Sequence, residues 1–226
     1  MRDPADRTIL LKDYAPPAYL ADAVALDVDI AQPWVTVRAT LGVRRNPEGA
    51  GGPLVLDGEH LELVSVSLDG VPLAASQYDL TGESLTLRNV PGEFRVETVV
   101  RLDPWSNTRL EGLYASKSGL FTQCEAEGFR TITYFPDRPD VMSTYGVTLH
   151  GSREAFPRLL SNGNLVDSGE EGDDRHWARW EDPFPKPCYL FAMVAARLDV
   201  LEDQLVTKSG KKALLQVYVE PGKLDQ

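Results

Sequence analysis

The sequence contains few of the residues that build metal centres or disulfide frameworks. Among its 226 residues there are 2 cysteines, Cys124 and Cys188, and 3 histidines. Because the cysteines do not form a Cys-x-x-Cys pair, neither a zinc cluster nor a disulfide scaffold is expected, and a reducing compartment is favoured. No histidine begins a His-Glu-x-x-His motif, so there is no local zinc pair. We therefore expect no metal site and no cofactor within these residues.

Long apolar segments and an excess of positive charge are also missing. The longest apolar run, residues 189–196, is far shorter than the ~20 residues that a membrane helix needs. Lys and Arg number 23 against 34 Asp and Glu, a net charge of -11, so no nucleic acid and no membrane is expected as a partner. Residues 1–7 carry charges and a proline where a signal peptide has its apolar core. A cytoplasmic location is therefore expected.

The sequence does contain a repeated alternation of apolar and polar residues. In residues 24–30 and again in residues 35–43 every second residue is apolar, which predicts strands with one buried face. Residues 31–33 predict a turn between them, and Asp69-Gly70 predicts a two-residue hairpin with positive φ at both positions. Further strands are expected at residues 54–56, 61–68, 71–73, 84–87, 94–102, 130–135, 145–150, 159–160, 165–166, 176–180, 188–196 and 214–219. The spacing predicts an all-β fold of antiparallel sheets, with a single helical turn at residues 138–144.

Polar, ionisable and glycine residues are concentrated between positions 120 and 140. Glu125 and Glu127 are two positions apart, so in an extended chain they would share a face, as an acid–base pair requires. On the pattern alone, solvated glutamates at a strand end are the favoured interpretation. Cys124 could be a nucleophile, but no histidine lies near it in sequence to lower its pKa, which favours a buried apolar role. Since serine-elbow, phosphate-loop and dinucleotide motifs are also missing, no complete catalytic site is predicted.

A resemblance to a known family adds to this pattern. The segment Thr122-Gln-Cys-Glu-Ala-Glu-Gly-Phe-Arg130, followed by Asp137-Arg-Pro-Asp-Val141, resembles the N-terminal β-domain of bacterial-type aminopeptidase N, of the gluzincin zinc metallopeptidase family. Three more segments agree: Asn107-Thr-Arg-Leu-Glu-Gly-Leu-Tyr114, Leu160-Ser-Asn-Gly-Asn164 and Trp180-Glu-Asp-Pro-Phe-Pro-Lys-Pro-Cys-Tyr-Leu-Phe-Ala192. The resemblance implies a large antiparallel, saddle-like β-sandwich domain at residues 1–197. It implies that residues 198–226 are the opening strands of the peptidase domain.

The resemblance also implies roles for individual residues. In this family the Gln and Glu of a Thr-Gln-x-Glu motif project into the active site of the next domain, and here they are Gln123 and Glu125. The Glu binds the free α-amine of peptide substrates, because a carboxylate pairs with an ammonium group that an internal peptide bond does not have. Glu127 and Arg130 match the motif without a clear ligand role, and we interpret them as loop support, with Arg130 a partner for a nearby carboxylate.

Complete members of the family continue into motifs that this sequence does not contain. These are a Gly-x-Met-Glu-Asn loop, a His-Glu-x-x-His helix and a downstream Glu zinc ligand. The resemblance therefore implies a non-catalytic fragment of a zinc aminopeptidase, with zinc held by the catalytic domain that this domain contacts in cis.

Two alternatives stay open at the level of sequence. The first is a stand-alone β-sandwich module for carbohydrate or protein, with residues 123–130 as its ligand surface. Its tryptophans, at positions 34, 105, 177 and 180, could stack on sugars, although packing in the core is the more usual role of aromatic residues in sheets. The second is a purely structural domain whose exposed patch docks a catalytic partner.

Overall fold

The computed structural model describes residues 10–225, so the residues 1–7 used above to argue against a signal peptide lie outside it. In the described residues there are seventeen strands and four 3₁₀ helices, and none of the helices is long and apolar enough to cross a membrane. The strands are β1 (Tyr19–Ala31), β2 (Trp34–Arg45), β3 (Leu54–Asp57), β4 (Glu62–Leu68), β5 (Val71–Pro72), β6 (Tyr78–Leu80), β7 (Ser84–Leu87), β8 (Glu93–Leu102), β9 (Gly112–Ser116), β10 (Gly119–Gln123), β11 (Ser143–Ser152), β12 (Arg158–Ser161), β13 (Asn164–Glu171), β14 (Arg175–Lys186), β15 (Met193–Ala196), β16 (Asp199–Val206) and β17 (Lys212–Val219). The 3₁₀ helices are Leu11–Asp13, Ala75–Gln77, Phe129–Thr131 and Cys188–Leu190. The predicted all-β fold is confirmed.

The largest sheet has eight strands in the order β13-β14-β11-β1-β2-β8-β4-β5. β1 and β2 pair in antiparallel register, with Val28 opposite Val37, and both of these side chains are fully buried. β1 also pairs with β11, in parallel, so that Val24 lies opposite Tyr145. All other strand pairs of this eight-stranded sheet are antiparallel. The parallel pair brings the middle of the chain beside its beginning.

The hydrophobic core joins this large sheet to two smaller ones. One has four strands, in the order β12-β15-β10-β9, and the other has three, in the order β3-β7-β6. A single cluster of buried side chains includes Val28 of β1, Leu85 of β7 and Leu120 of β10. Removing such apolar surface from water stabilises the fold by about 25 cal/mol per Å². Because β10 belongs to this core, the residues that directly follow it are held on a well-packed support.

β16 and β17 form a two-stranded sheet that shares no strand pairing with the other three sheets of the described chain. None of the residues in these two strands is buried. Five of their apolar side chains are each more than half exposed: Leu201, Leu205, Val206, Leu214 and Val217. The hairpin therefore has an apolar surface that no other described residues cover. Isolated two-stranded hairpins are at most marginally stable in water.

The strand expected at residues 130–135 is wrong, and the helical turn expected at residues 138–144 is present only as a turn closed by the N–H of Val141, which donates to the carbonyl oxygen of Arg138 at 3.2 Å. The chain instead forms the 3₁₀ helix Phe129–Thr131, continues irregularly, and enters β11 at the end of the second range. The N–H of Arg130 donates to the Asp137 carboxylate at 3.1 Å rather than to a neighbouring strand. A side-chain acceptor has therefore replaced a sheet partner.

The strand expected across residues 188–196 is only partly present. Its first half is the 3₁₀ helix Cys188–Leu190, and its second half is the strand Met193–Ala196. The N–H of Phe191 donates to the carbonyl oxygen of Cys188 at 3.0 Å, which closes a tight turn. The continuous apolar run therefore indicates a largely buried segment here, but it does not indicate a single extended strand.

Candidate functional site

The residues singled out in the sequence lie where β10 ends and an exposed turn begins. The N–H of Gly128 donates to the carbonyl oxygen of Cys124 at 2.9 Å and closes this turn. Cys124 is buried, whereas Gln123, Glu125 and Glu127 are exposed. The two glutamates are in a turn and not in an extended strand, so the expectation that they share one strand face is wrong.

The turn brings Gln123 and Glu125 together. The side-chain Nε2 of Gln123 donates to the backbone oxygen of Glu125 at 3.2 Å. No described residue donates a hydrogen bond to, or forms an ion pair with, the Glu125 carboxylate or the side-chain oxygen of Gln123. These oxygens only accept hydrogen bonds, and the carboxylate adds negative charge. The turn is therefore suited to bind a cationic amine.

Buried residues anchor both ends of the turn. Phe129 is fully buried, and its ring packs edge-to-face against Phe135 and Phe191, with centroids 5.1 Å away in each case. At Gly128, an added Cβ would lie 2.4 Å from the backbone oxygen of Gln123, so a larger residue would push the turn away from β10. The position of the exposed carboxylate therefore depends on close packing immediately behind it.

Arg130 is held mainly by Asp137. The Oδ2 of Asp137 accepts hydrogen bonds from the Nε of Arg130 at 3.0 Å and from its backbone N–H at 3.1 Å. The other oxygen, Oδ1, accepts one from the Cys188 thiol at 2.9 Å. The side chain of Asp137 is 2% exposed and that of Arg130 is 13% exposed. The sequence-based hypothesis that Arg130 pairs with a nearby carboxylate is confirmed.

Arg130 reaches other carboxylates as well. Its Nη2 is 3.3 Å from Glu127 and its Nη1 is 3.7 Å from Glu59. Burial raises the pKa of Asp57, a neighbouring carboxyl, and the positive charge of Arg130 partly offsets that rise. Asp137 belongs to the family motif, but its pairing with Arg130 was not predicted from the sequence. The sequence signal for this ion pair was an acidic residue seven positions after the arginine of the motif.

Both cysteines are free and buried. Burial raises the pKa of the Cys124 thiol to about 12, so a thiolate nucleophile is disfavoured at neutral pH. The pKa of Cys188 is also raised, first by burial and then by the negative charge of Asp137. The interpretation of Cys124 as a small buried residue agrees with this environment.

We expect two thiols per chain to react with Ellman's reagent when the protein is denatured without reductant. In the native protein the same thiols should react far more slowly, because the attacking species is the exposed thiolate. Two rates measured on one sample, before and after denaturant is added, provide the comparison. No reaction after denaturation would indicate a disulfide, and rapid reaction of the native protein would contradict the burial of both residues.

The described residues include no group of three or more His, Cys, Asp or Glu arranged to hold a metal ion. The carboxylates of Asp137, Glu127 and Glu59 instead surround the Arg130 guanidinium. A zinc ion therefore does not fit a site built from the part of the chain that the structure describes.

The fold and the turn together define an all-β domain that presents an exposed acidic turn beside a four-stranded sheet. The family described as Peptidase M1 N-terminal domain matches residues 15–190, and the chain belongs to this family. The chain is 50% identical over 222 residues to the aminopeptidase N of Caulobacter vibrioides, which covers 98% of this chain and 26% of that protein. The resemblance inferred from sequence motifs is confirmed. The chain spans about a quarter of the length of such relatives.

Solved structures agree with this assignment. The aminopeptidase A of Legionella pneumophila, in complex with aspartic acid, has a TM-score of 0.88 and 37% identity over 93% of this chain and 25% of that one. An M1 zinc metallopeptidase from Deinococcus radiodurans, bound to a Tyr-Ser-Ala substrate, has a TM-score of 0.75 and 16% identity over 92% of this chain and 49% of that one. The second similarity is one of fold alone.

Proposed function

We propose that the chain is the N-terminal domain of a zinc-dependent aminopeptidase and that Gln123 and Glu125 bind the α-amine of peptide substrates. The observation that carries the proposal is the exposed turn after β10, where the Glu125 carboxylate and the side-chain oxygen of Gln123 receive no hydrogen bond from the described residues. Membership of the M1 N-terminal family and the aminopeptidase relatives support the same role.

The proposed role of the chain is recognition and orientation. A peptide N-terminus is an ammonium group with three N–H donors, and a carboxylate forms charge-assisted hydrogen bonds with it. An internal residue or an acetylated N-terminus has no such charge, so it leaves the Glu125 carboxylate without a partner. Fixing the amine also places the first peptide bond at a constant distance from the turn. Zinc, which the name of the Deinococcus relative includes, would be bound by residues outside this chain.

We further propose that residues 1–197 form the β-domain and that residues 198–226 are the opening strands of a peptidase domain. The exposed apolar side chains of β16 and β17 support this boundary, since the hairpin has no covering layer among the described residues. The partner would be the catalytic domain of the same chain, in cis. A cytoplasmic location is supported by the two free cysteines, which are typical of reducing compartments.

The stand-alone binding module has less support. Trp105 and Trp180 pack against the core, and Trp180 donates its indole N–H to the carbonyl oxygen of Leu159 at 3.0 Å. Trp34 is 45% exposed and remains available for stacking. The packing of Trp105 and Trp180 against the core leaves fewer tryptophan rings to stack on a sugar.

The complete protein should release the N-terminal residue from peptides with a free α-amine and leave their N-acetylated forms intact. Removal of metal by a chelator should abolish this activity, and zinc should restore it. The 226-residue chain alone should neither hydrolyse these peptides nor bind zinc stoichiometrically. Equal hydrolysis of acetylated and free peptides would contradict amine recognition. One tightly bound zinc per 226-residue chain would contradict the proposed division of roles.

A further inference from the structure

We propose that Asp137 is a positioning residue for Glu125, acting through Arg130 and Cys188 to hold the turn that carries the Glu125 carboxylate. This inference rests on the proposed function, in which Glu125 binds the substrate amine. Asp137 itself is 2% exposed and is not expected to contact substrate.

The first step is the connection from Asp137 to the turn. Arg130 donates three hydrogen bonds to Asp137. Its Nε and its backbone N–H donate to the Asp137 carboxylate, and its Nη2 donates to the Asp137 carbonyl oxygen at 3.2 Å. The backbone N–H bond fixes the chain only two residues after Gly128, which closes the turn. The Asp137 carboxylate therefore fixes the direction of the chain at the C-terminal end of the turn.

The second step is the connection from Asp137 to the rest of the fold. Its backbone N–H donates to the side chain of Asp57 at 3.0 Å, and Asp57 exchanges two backbone hydrogen bonds with Phe135, of 2.8 and 3.0 Å. Asp57 is the last residue of β3, so this contact ties Asp137 to the three-stranded sheet. Asp137 also accepts a hydrogen bond from the thiol of Cys188. Cys188 lies shortly before β15, and β15 pairs with β10. Asp137 thus bridges the turn to two sheets.

The third step is what loss of the negative charge would do. Arg130, with 13% of its side chain exposed, would lose the carboxylate that both neutralises it and fixes its orientation. Arg130 would keep its longer contacts with Glu127, at 3.3 Å, and Glu59, at 3.7 Å, so the guanidinium would move toward solvent and toward Glu127. Because Arg130 and the turn share a short backbone segment, the turn would move with it. Displacements of about 1 Å at a binding group are large enough to reduce rates by up to about a hundredfold.

The experiment compares two hydroxamate inhibitors of the complete zinc-loaded enzyme. One is an amino-acid hydroxamate, and the other is the matching hydroxamate without the α-amine. Asp137→Asn should raise the inhibition constant of the first about tenfold and leave that of the second unchanged. Deuterium exchange of the same enzyme should become faster across residues 124–131. A merely structural role would affect both inhibitors alike.

Asp140→Asn is the matched control. Asp140 also pairs with an arginine, Arg138, through hydrogen bonds of 2.8 and 2.6 Å, but this pair lies outside the turn and the arginine side chain is 39% exposed. It should leave both inhibition constants and the exchange of residues 124–131 unchanged. Arg130→Lys keeps the positive charge but loses the planar fork, so it should weaken the amine-containing inhibitor selectively. This variant serves as the test if Asp137→Asn does not fold.

Glu125→Gln separates failure of this inference from failure of the proposed function. It should weaken the amine-containing inhibitor selectively, and adding Asp137→Asn to it should cause little further loss. If Glu125→Gln has this effect and Asp137→Asn does not, the positioning role is wrong and the amine site stands. If Glu125→Gln leaves the amine-containing inhibitor unaffected, the proposed function itself is wrong. Equal weakening of both inhibitors by Asp137→Asn would also overturn the positioning role.

Discussion

Replacing Glu125 by Gln in the complete enzyme should lower kcat/KM for peptides by about ten- to a hundredfold or more. The substitution keeps the size of the side chain and its ability to form hydrogen bonds but removes its charge. A charge-assisted hydrogen bond contributes about 1.5–3 kcal/mol, which corresponds to a loss of this size. Steady-state kinetics on peptides with a free α-amine measure the effect, and zinc content should not change, since Glu125 is not proposed as a ligand.

Glu127→Gln provides the same chemical change two residues further along the turn. The Glu127 side chain is 58% exposed, and its ion pair with Arg130 spans 3.3 Å. Because the Glu127 carboxylate is more than half exposed, solvent screens this pair and its loss should cost about 0–1 kcal/mol, so kcat/KM should stay near the parental value. Near-parental activity of Glu125→Gln, or an equal loss in both variants, would show that the amine-binding carboxylate has been assigned to the wrong residue.

Phe129→Ala should lower the free energy of unfolding of the chain by about 3–5 kcal/mol. Phe129 is fully buried, and its ring contacts Phe135 and Phe191 with centroid distances of 5.1 Å. Truncation would remove apolar burial and two edge-to-face contacts, and would leave a cavity directly behind the turn. Urea unfolding curves of the parent and the variant, analysed with a common slope, give the difference.

Phe184→Ala is the control for this substitution. The side chain of Phe184 is 76% exposed, so the same truncation removes little buried surface. Substitutions at such surface positions usually change stability by no more than about 0.5 kcal/mol. A loss of less than about 1 kcal/mol at Phe129, or similar losses at both positions, would contradict the packing described for the turn.

The parts of the fold that depend on local pattern were predictable from the sequence. The alternation in β1 and β2 marks one buried face, and the structure buries those residues. At the hairpin after β4, Asp69 and Gly70 have φ values of 50° and 79°, which is the positive-φ pair that this dipeptide predicts. Such features are encoded within a few neighbouring residues.

The parts that depend on distant contacts were not predictable in this way. The parallel pairing of β1 with β11 joins residues more than a hundred positions apart, and no short pattern encodes it. The same holds for Asp137, which replaces a strand partner for Arg130 and redirects the chain. For Glu125, the pattern alone favoured a solvated residue. Only the family motif indicated a binding role, because an exposed carboxylate has no local signature that distinguishes recognition from solvation.

The exposed position of the Glu125 turn has a thermodynamic consequence for the complete enzyme. A substrate held through its amine by this domain and through its peptide bond by another would bind to both at once. Its binding energy would then be linked to the association of the two domains, so that saturating substrate stabilises their docked state and undocking weakens substrate affinity by the same factor. The stability of the domain interface and the dissociation constant of the substrate would therefore be two measurements of one coupled equilibrium.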